Sequence, residues 1–299
     1  MADEEPGPTD ALPTSPAVAT AQSMSPARTP TRSRRPYVVH DKPLLFAHRG
    51  GSGLAPENTL VAFERGLASG ANALELDIQT TRDGQIVIIH DPTLDRTTNG
   101  SGPVASYTLE EVKRLDAGYR FTTDDGQTYP YRGQGITIPT MREVFENFPQ
   151  ARINIDLKES TPAREHRLWE LIQEYQAYDR VLVASGDLHL PIIRFRRLVA
   201  GRVATSASAL EIRSFVLATA AHATRWLRPA YDALQVPETH RGIRVVSRTL
   251  LNAAHRLGLD VHVWTVDIPA DMQRLLALGV DGLMTDRPDL LANVLGGHP

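Results

Sequence analysis

Along the chain, short apolar runs alternate with longer segments in which apolar residues recur every three or four positions. Leu44 to Ala47 is such a run, and it ends at His48-Arg49-Gly50. Asn58 reads as the N-cap of a following helix that carries Leu60, Phe63 and Leu67 on one face and stops at Gly70. From Ala73 to Gln79, Leu74, Leu76 and Ile78 alternate with Glu75 and Asp77, so a strand here puts both carboxylates on one face. Asp83-Gly84 signals a turn, and the run from Ile86 to Ile89 predicts a strand ending at His90. A tight hairpin there sets Asp77 roughly opposite His90. Ile153 to Lys158 repeats the alternation, with Asn154, Asp156 and Lys158 sharing a face.

The same rhythm runs on to the end. Thr140 and Glu143 form a capping box for a helix that turns Val144, Phe145 and Phe148 inward, and Thr161-Pro162 opens the next helix. Strands are expected at Val181 to Ala184, Val203 to Ser206 and, more weakly, Asp232 to Pro237. Ser247 caps a helix ending near Gly258, Val261 to Val266 is a strand, Pro269 opens a helix stopped by Gly279, and Gly282 to Thr285 is the last strand. About eight strands alternating with helices over roughly 250 residues indicate an α/β fold of the (β/α)8 TIM-barrel type, with an open doubly wound sheet as the alternative. No glycine-rich nucleotide fingerprint follows any strand.

Two stretches depart from the pattern. Residues 92–139 are rich in Gly, Thr and Tyr, with one short helix behind the capping box of Thr108 and Glu111. They read as a small insertion after the His90 strand. Residues 1–42 are rich in Pro, Ser, Thr and Ala, too poor in bulky apolar side chains to offset the entropy of ordering, and are expected to be a disordered tail. Its end, Arg28 to Arg35, is basic, as a solvated linker or a weak contact for an anionic surface. That leaves 43–295 as the barrel.

Composition narrows the chemistry. Of 299 residues, 41% are hydrophobic, enough for a sizeable core, and a formal charge of −3 gives no reason to expect nucleic acid as a partner. The chain has no cysteine, which removes disulfides, thiolate metal sites and cysteine nucleophiles together. No run of about 18 apolar residues predicts a spanning helix. The acidic start MADEEPGPTD lacks the basic and apolar regions of a secretory signal, so a cytoplasmic protein is expected.

In a barrel, polar residues near the C-terminal ends of strands converge on one mouth. Here they are His48, Arg49, Glu75, Asp77, His90, Asp156, Lys158, Trp264 and Asp286. Three carboxylates suit a hard divalent cation, two histidines suit acid and base work, and Arg49 with Lys158 suits a phosphate. Taken singly, each histidine has an ordinary structural reading, and Asp156 with Lys158 reads as an internal ion pair. Taken together, so many ionisable groups buried without use would carry a large desolvation cost.

HRG at 48–50, PENT at 56–59, ELD at 75–77, TRDGQIVIIHDPTLDRTTNG at 81–100, IPTMREVF at 138–145, NIDLK at 154–158, VWTVD at 263–267 and TDRP at 285–288 together resemble the motif series of the glycerophosphodiester phosphodiesterase family. The resemblance runs in order from about residue 44 to 290, and it implies a TIM barrel with a small insertion. It implies His48 and His90 as general acid and base, Glu75 and Asp77 as metal ligands with Asp156 as the third, where glutamate is frequent in the family, and Mg2+ or Ca2+ as the cation. It further implies that Arg49 and Lys158 contact phosphate, that Trp264 walls the pocket and that Glu57 orients a neighbour. Asp267 stands where many members have asparagine. The implied reaction hydrolyses a glycerophosphodiester to an alcohol and glycerol 3-phosphate. Lysophospholipase D activity, releasing choline or ethanolamine from a lysophospholipid, is the alternative, and a non-catalytic phosphate-binding barrel is a third reading. The lipid alternative rests on residues 209–231, read as one helix with Ile212, Phe215, Val216, Thr219, Ala223 and Trp226 along a stripe and basic residues beside it. That helix is either an ordinary outer helix or a peripheral membrane contact.

Overall fold

The computed structural model describes residues 1, 35–41, 43–158, 161–186 and 189–296. The tail expected over residues 1–42 therefore lies largely outside the described residues. Eight parallel strands alternate with helices: β1 (Leu44–Ala47), β2 (Ala73–Thr80), β4 (Arg152–Leu157), β5 (Val181–Ala184), β6 (Ala204–Thr205), β7 (Ala233–Pro237), β10 (Asp260–Trp264) and β11 (Gly282–Thr285). Their order is β6-β5-β4-β2-β1-β11-β10-β7. The two ends of that order meet at a parallel bridge between Ser206 and Ala233, with Asp232 N donating to Thr205 O at 2.7 Å, so the barrel closes. Closure explains why the strands are buried on both faces: one side packs the interior and the other the helices.

Three local expectations change. The strand β3 (Ile86–Ile88) is shorter than predicted and is not part of the barrel; it folds back antiparallel on β2. Ile89 N donates to Asp77 O at 3.0 Å, so Ile89, and not His90, lies across from Asp77. The turn spans one residue more than a tight hairpin allows, because Thr81 N bonds Gln85 O around Asp83-Gly84. The helix α1 (Leu60–Ala68) is capped by Thr59, whose Oγ1 accepts from Ala62 N at 3.2 Å, and Asn58 serves another purpose. The third change is at 209–231. There α6 (Ala209–Ala220) stops, His222 takes a left-handed φ of 53°, and Thr224–Trp226 forms a separate 3-10 turn. Phe215 is 1% exposed and packs in the core, whereas Leu210, Leu217 and Trp226 face outward. No described helix is long and apolar enough to cross a membrane.

The insertion carries the short helix α2 (Leu109–Lys113) behind the predicted capping box and packs its own small core of Val87, Ile89, Leu94, Val104, Val112, Ala117 and Ile138. It is thereby fixed to β3 and held beside the barrel mouth. The residue pairing of β2 with β4 sets Asp77 beside Asp156 and Glu75 beside Asn154. Asn154 accepts from Gln235 Nε2 at 2.8 Å inside the barrel, below the mouth.

Candidate active site

The turn His48–Gly50 at the end of β1 brings the first group of polar side chains to the mouth. Arg49 takes a left-handed φ of 51°, and the turn lies tightly under α1: a Cβ on Gly50 would fall 2.7 Å from Ala62 Cβ, and one on Gly66 would fall 2.6 Å from Gly50 O. Non-glycine residues in that region are uncommon and concentrate where surrounding contacts enforce them. Here the enforcing contact is a bond from Arg49 N to Glu75 Oε2 at 2.9 Å. The second left-handed residue nearby is Asn58, with φ 58°. Its Nδ2 donates to Asp77 Oδ2 at 2.9 Å and its Oδ1 accepts from Asp77 N at 3.3 Å. Asn58 thus holds the central carboxylate.

Each histidine is braced by an aspartate. His48 Nδ1 lies 2.6 Å from Asp286 Oδ1, and His90 Nδ1 lies 2.6 Å from Asp91 Oδ1. A carboxylate only accepts, so each Nδ1 carries the hydrogen and each Nε2 is left for other work. Burial alone would disfavour the His48 cation, but Glu75, with Nε2 3.9 Å from Oε2, and Asp286 prevail and raise its pKa above the ordinary value. Arg96 continues the bracing of His90: its Nε binds Asp91 Oδ2 at 2.6 Å, and its Nη atoms bind both oxygens of Glu57. Glu57 in turn accepts from Arg49 Nη1 at 2.9 Å. Glu57 therefore links Arg49 to Arg96.

Charge at the centre is unevenly matched. Burial and the nearby Asp77 push the Glu75 carboxyl up to about 7. Burial also opposes ionisation of Asp77, yet Lys158 and Arg49 outweigh it and hold that carboxyl below the usual range. Lys158 Nζ stands 3.1 Å from Asp77 Oδ1 and 2.7 Å from Asp156 Oδ2, and these acids raise its pKa despite burial. The three carboxylates expected to form one cluster are therefore split by an ammonium, and no group of three His, Asp or Glu side chains among the described residues is assembled to hold a metal ion. At the mouth Asp77 Oδ1 and Arg49 Nε are buried without a hydrogen bond, each held only by an ion pair, Asp77 Oδ1 to Lys158 Nζ at 3.1 Å and Arg49 Nε to Asp77 Oδ2 at 3.4 Å. A buried acceptor that makes no hydrogen bond, beside a second carboxylate that is not fully neutralised, fits a hard cation at Glu75 and Asp77.

Trp264 sits at the C-terminal end of β10 and is 44% exposed. Asp267 Oδ1 accepts from Thr285 Oγ1 and from Asp286 N, both at 2.8 Å, so it steadies the turn that presents Asp286 to His48.

The whole arrangement has counterparts. Residues 48–290 match the model of the glycerophosphoryl diester phosphodiesterase family. The chain belongs to this family. A glycerophosphodiester phosphodiesterase of Caldanaerobacter subterraneus is 36% identical over 269 residues, covering 85% of this chain and 98% of that protein. The crystal structure of glycerophosphodiester phosphodiesterase from Agrobacterium tumefaciens superposes with a TM-score of 0.67 at 27% identity, over 84% of this chain and 99% of the other. An Oleispira antarctica phosphodiesterase in complex with the product sn-glycerol 3-phosphate matches at 25% identity and a TM-score of 0.69, over 86% and 98% of the two chains. Within the glycerophosphodiester phosphodiesterase frame, the motif residues His48, Arg49, Glu57, Glu75, Asp77, His90, Asp156 and Lys158 meet at one mouth. Sequence reasoning had passed over Asn58, Asp91 and Arg96, although all three lie inside the motifs that carried the resemblance.

Proposed function

We propose that this enzyme hydrolyses glycerophosphodiesters to glycerol 3-phosphate and an alcohol. The observation that carries this reading is the pair of histidines, each with Nδ1 held by an aspartate and Nε2 without a hydrogen bond among the described residues, beside the half-buried cations Arg49 and Lys158. Arg49, whose Nε makes no hydrogen bond, and Lys158 bind the phosphate and absorb the charge that develops on its oxygens. Attack on phosphorus comes from water directly, or from the neighbouring glycerol hydroxyl to give a cyclic glycerol phosphate that water then opens to glycerol 3-phosphate. One histidine removes the proton from the attacking oxygen at Nε2, and the other gives its Nε2 proton to the leaving alcohol. Glu75 and Asp77, with Asp156 as the third carboxylate, would hold the divalent cation, Mg2+ or Ca2+. When bound, that cation supplies neutralisation of the phosphate oxygens. Trp264 bounds the mouth.

The lysophospholipid reading has one observation in its favour: a cleft of about 410 Å3 beside α6 is bordered by Leu210, Leu227 and Pro229, with the exposed Leu217 and Trp226 nearby on the same segment. One panel separates the two readings. Glycerophosphodiesters and lysophospholipids are supplied with each divalent cation, and the released alcohol is measured. Turnover of the soluble diesters well above the lysolipids is expected. A preference for lysolipids, lost selectively in the surface variants Leu217→Asp and Trp226→Asp, would transfer the assignment to lysophospholipase D. Phe215 is unsuited as a probe because it is core.

A further inference from the structure

This inference rests on the diesterase reading and names the class of alcohol it releases. A second cleft, of about 200 Å3, opens between the barrel and the insertion, with Ser52, Pro56 and Glu57 on one side and Arg96, Arg120 and Phe121 on the other. Both walls are tied to the supports of the two histidines. Ser52 Oγ donates to Asp286 Oδ1, the partner of His48, and Arg96 binds Asp91, the partner of His90. The cleft thus adjoins the supports of both histidines on the insertion side of the site.

The two arginines in its wall differ in what they have left to offer. Arg96 is spent on Glu57 and Asp91. Arg120 is not: its Nε donates to Thr98 O at 3.2 Å, which pins the guanidinium, while it pairs with no carboxylate among the described residues. The acids nearest in sequence, Asp116 and Asp124, are taken up, Asp116 by the backbone N–H groups of Gly118 and Gly133 and Asp124 by Thr122 and Thr128. An anchored guanidinium with its Nη fork unspent presents two parallel N–H donors, the arrangement that matches a carboxylate or phosphate. A quaternary ammonium at the same place would face like charge. We propose that this cleft receives the alcohol half of the diester and that Arg120 makes it favour alcohols carrying an anionic group.

The test uses substrate pairs that differ by one anionic group: glycerophosphoserine against glycerophosphoethanolamine for a carboxylate, and glycerophosphoglycerol with and without a terminal phosphate for a phosphate. For wild type, kcat/KM is expected to be higher for the anionic member of at least one pair, and the pair concerned tells which anion is taken. Arg120→Gln should reduce that ratio about tenfold, mostly through KM, as the loss of a charge-assisted bidentate contact would. Arg120→Lys should retain part of the preference and Arg120→Glu should invert it. Ratios that stay the same in Arg120→Gln, or a loss equal for every substrate, would overturn the proposal. Absence of turnover of any glycerophosphodiester by the wild-type enzyme would instead overturn the diesterase reading, and this inference with it.

Discussion

Replacing either histidine is expected to lower kcat by at least about a hundredfold, the usual scale for a positioned acid or base. His48→Ala and His90→Ala should leave the fold intact, because both rings sit at strand ends on the rim and neither fills the hydrophobic core. The braces predict a further signature. Asp286 and Glu75 favour the protonated form of His48, so the limb of the pH–rate profile that belongs to His48 lies above the pH at which free imidazole titrates. Removing the negative partner in Asp286→Asn withdraws part of that support, so the limb should move toward acid. A fall in kcat of less than threefold in either alanine variant would reduce that histidine to a structural role, and a limb that moves toward base would contradict the bracing.

Removal of divalent cations by chelation should abolish turnover, with recovery on adding Mg2+, Ca2+ or another hard cation, since the available ligands are oxygens. Glu75→Gln should prevent that recovery, lowering activity by at least about a hundredfold at saturating metal. The substitution is mild for the fold, because the amide oxygen can still accept from Arg49 N, the bond that holds the His48–Gly50 turn. It also removes the carboxyl that burial and Asp77 push up to about 7, so any loss reflects the missing ligand and not a new buried charge. Full activity of wild type or Glu75→Gln in chelator would take the metal out of the reaction.

The sequence made some of this legible and hid the rest for identifiable reasons. Alternation in 73–79 and 153–158 was enough to place Glu75, Asp77, Asp156 and Lys158 on one interior face, because strand side chains have a fixed period of two. Barrel closure, and the adjacency of His48 to Asp286 across 238 residues, depend on sheet order, which periodicity does not encode. Asn58 looked like a helix cap because Asn is a favoured cap; Thr59 beside it has the same capacity, and the backbone of Asn58 turned left-handed to reach Asp77. His90 was set across from Asp77 by assuming a tight turn, and the longer turn around Asp83-Gly84 shifted the register by one residue. The helix read over 209–231 failed because its stripe ran through residues 221–223, where a left-handed His222 ends the helix and sends Phe215 and Trp226 to opposite environments. The alternation puts Lys158 on the same face as the three carboxylates but does not encode that its ammonium stands between Asp77 and Asp156.

The most direct test of the account is the identity of the products. Glycerophosphoserine and glycerophosphocholine, each incubated with the purified enzyme and a divalent cation, are followed by phosphorus NMR with separate assay of the free alcohol. The account predicts that sn-glycerol 3-phosphate and serine or choline appear in equal amounts, and that the phosphomonoester accumulates without further breakdown. Phosphoserine or phosphocholine released together with free glycerol, or no hydrolysis with Mg2+, Ca2+ or Mn2+, would contradict it.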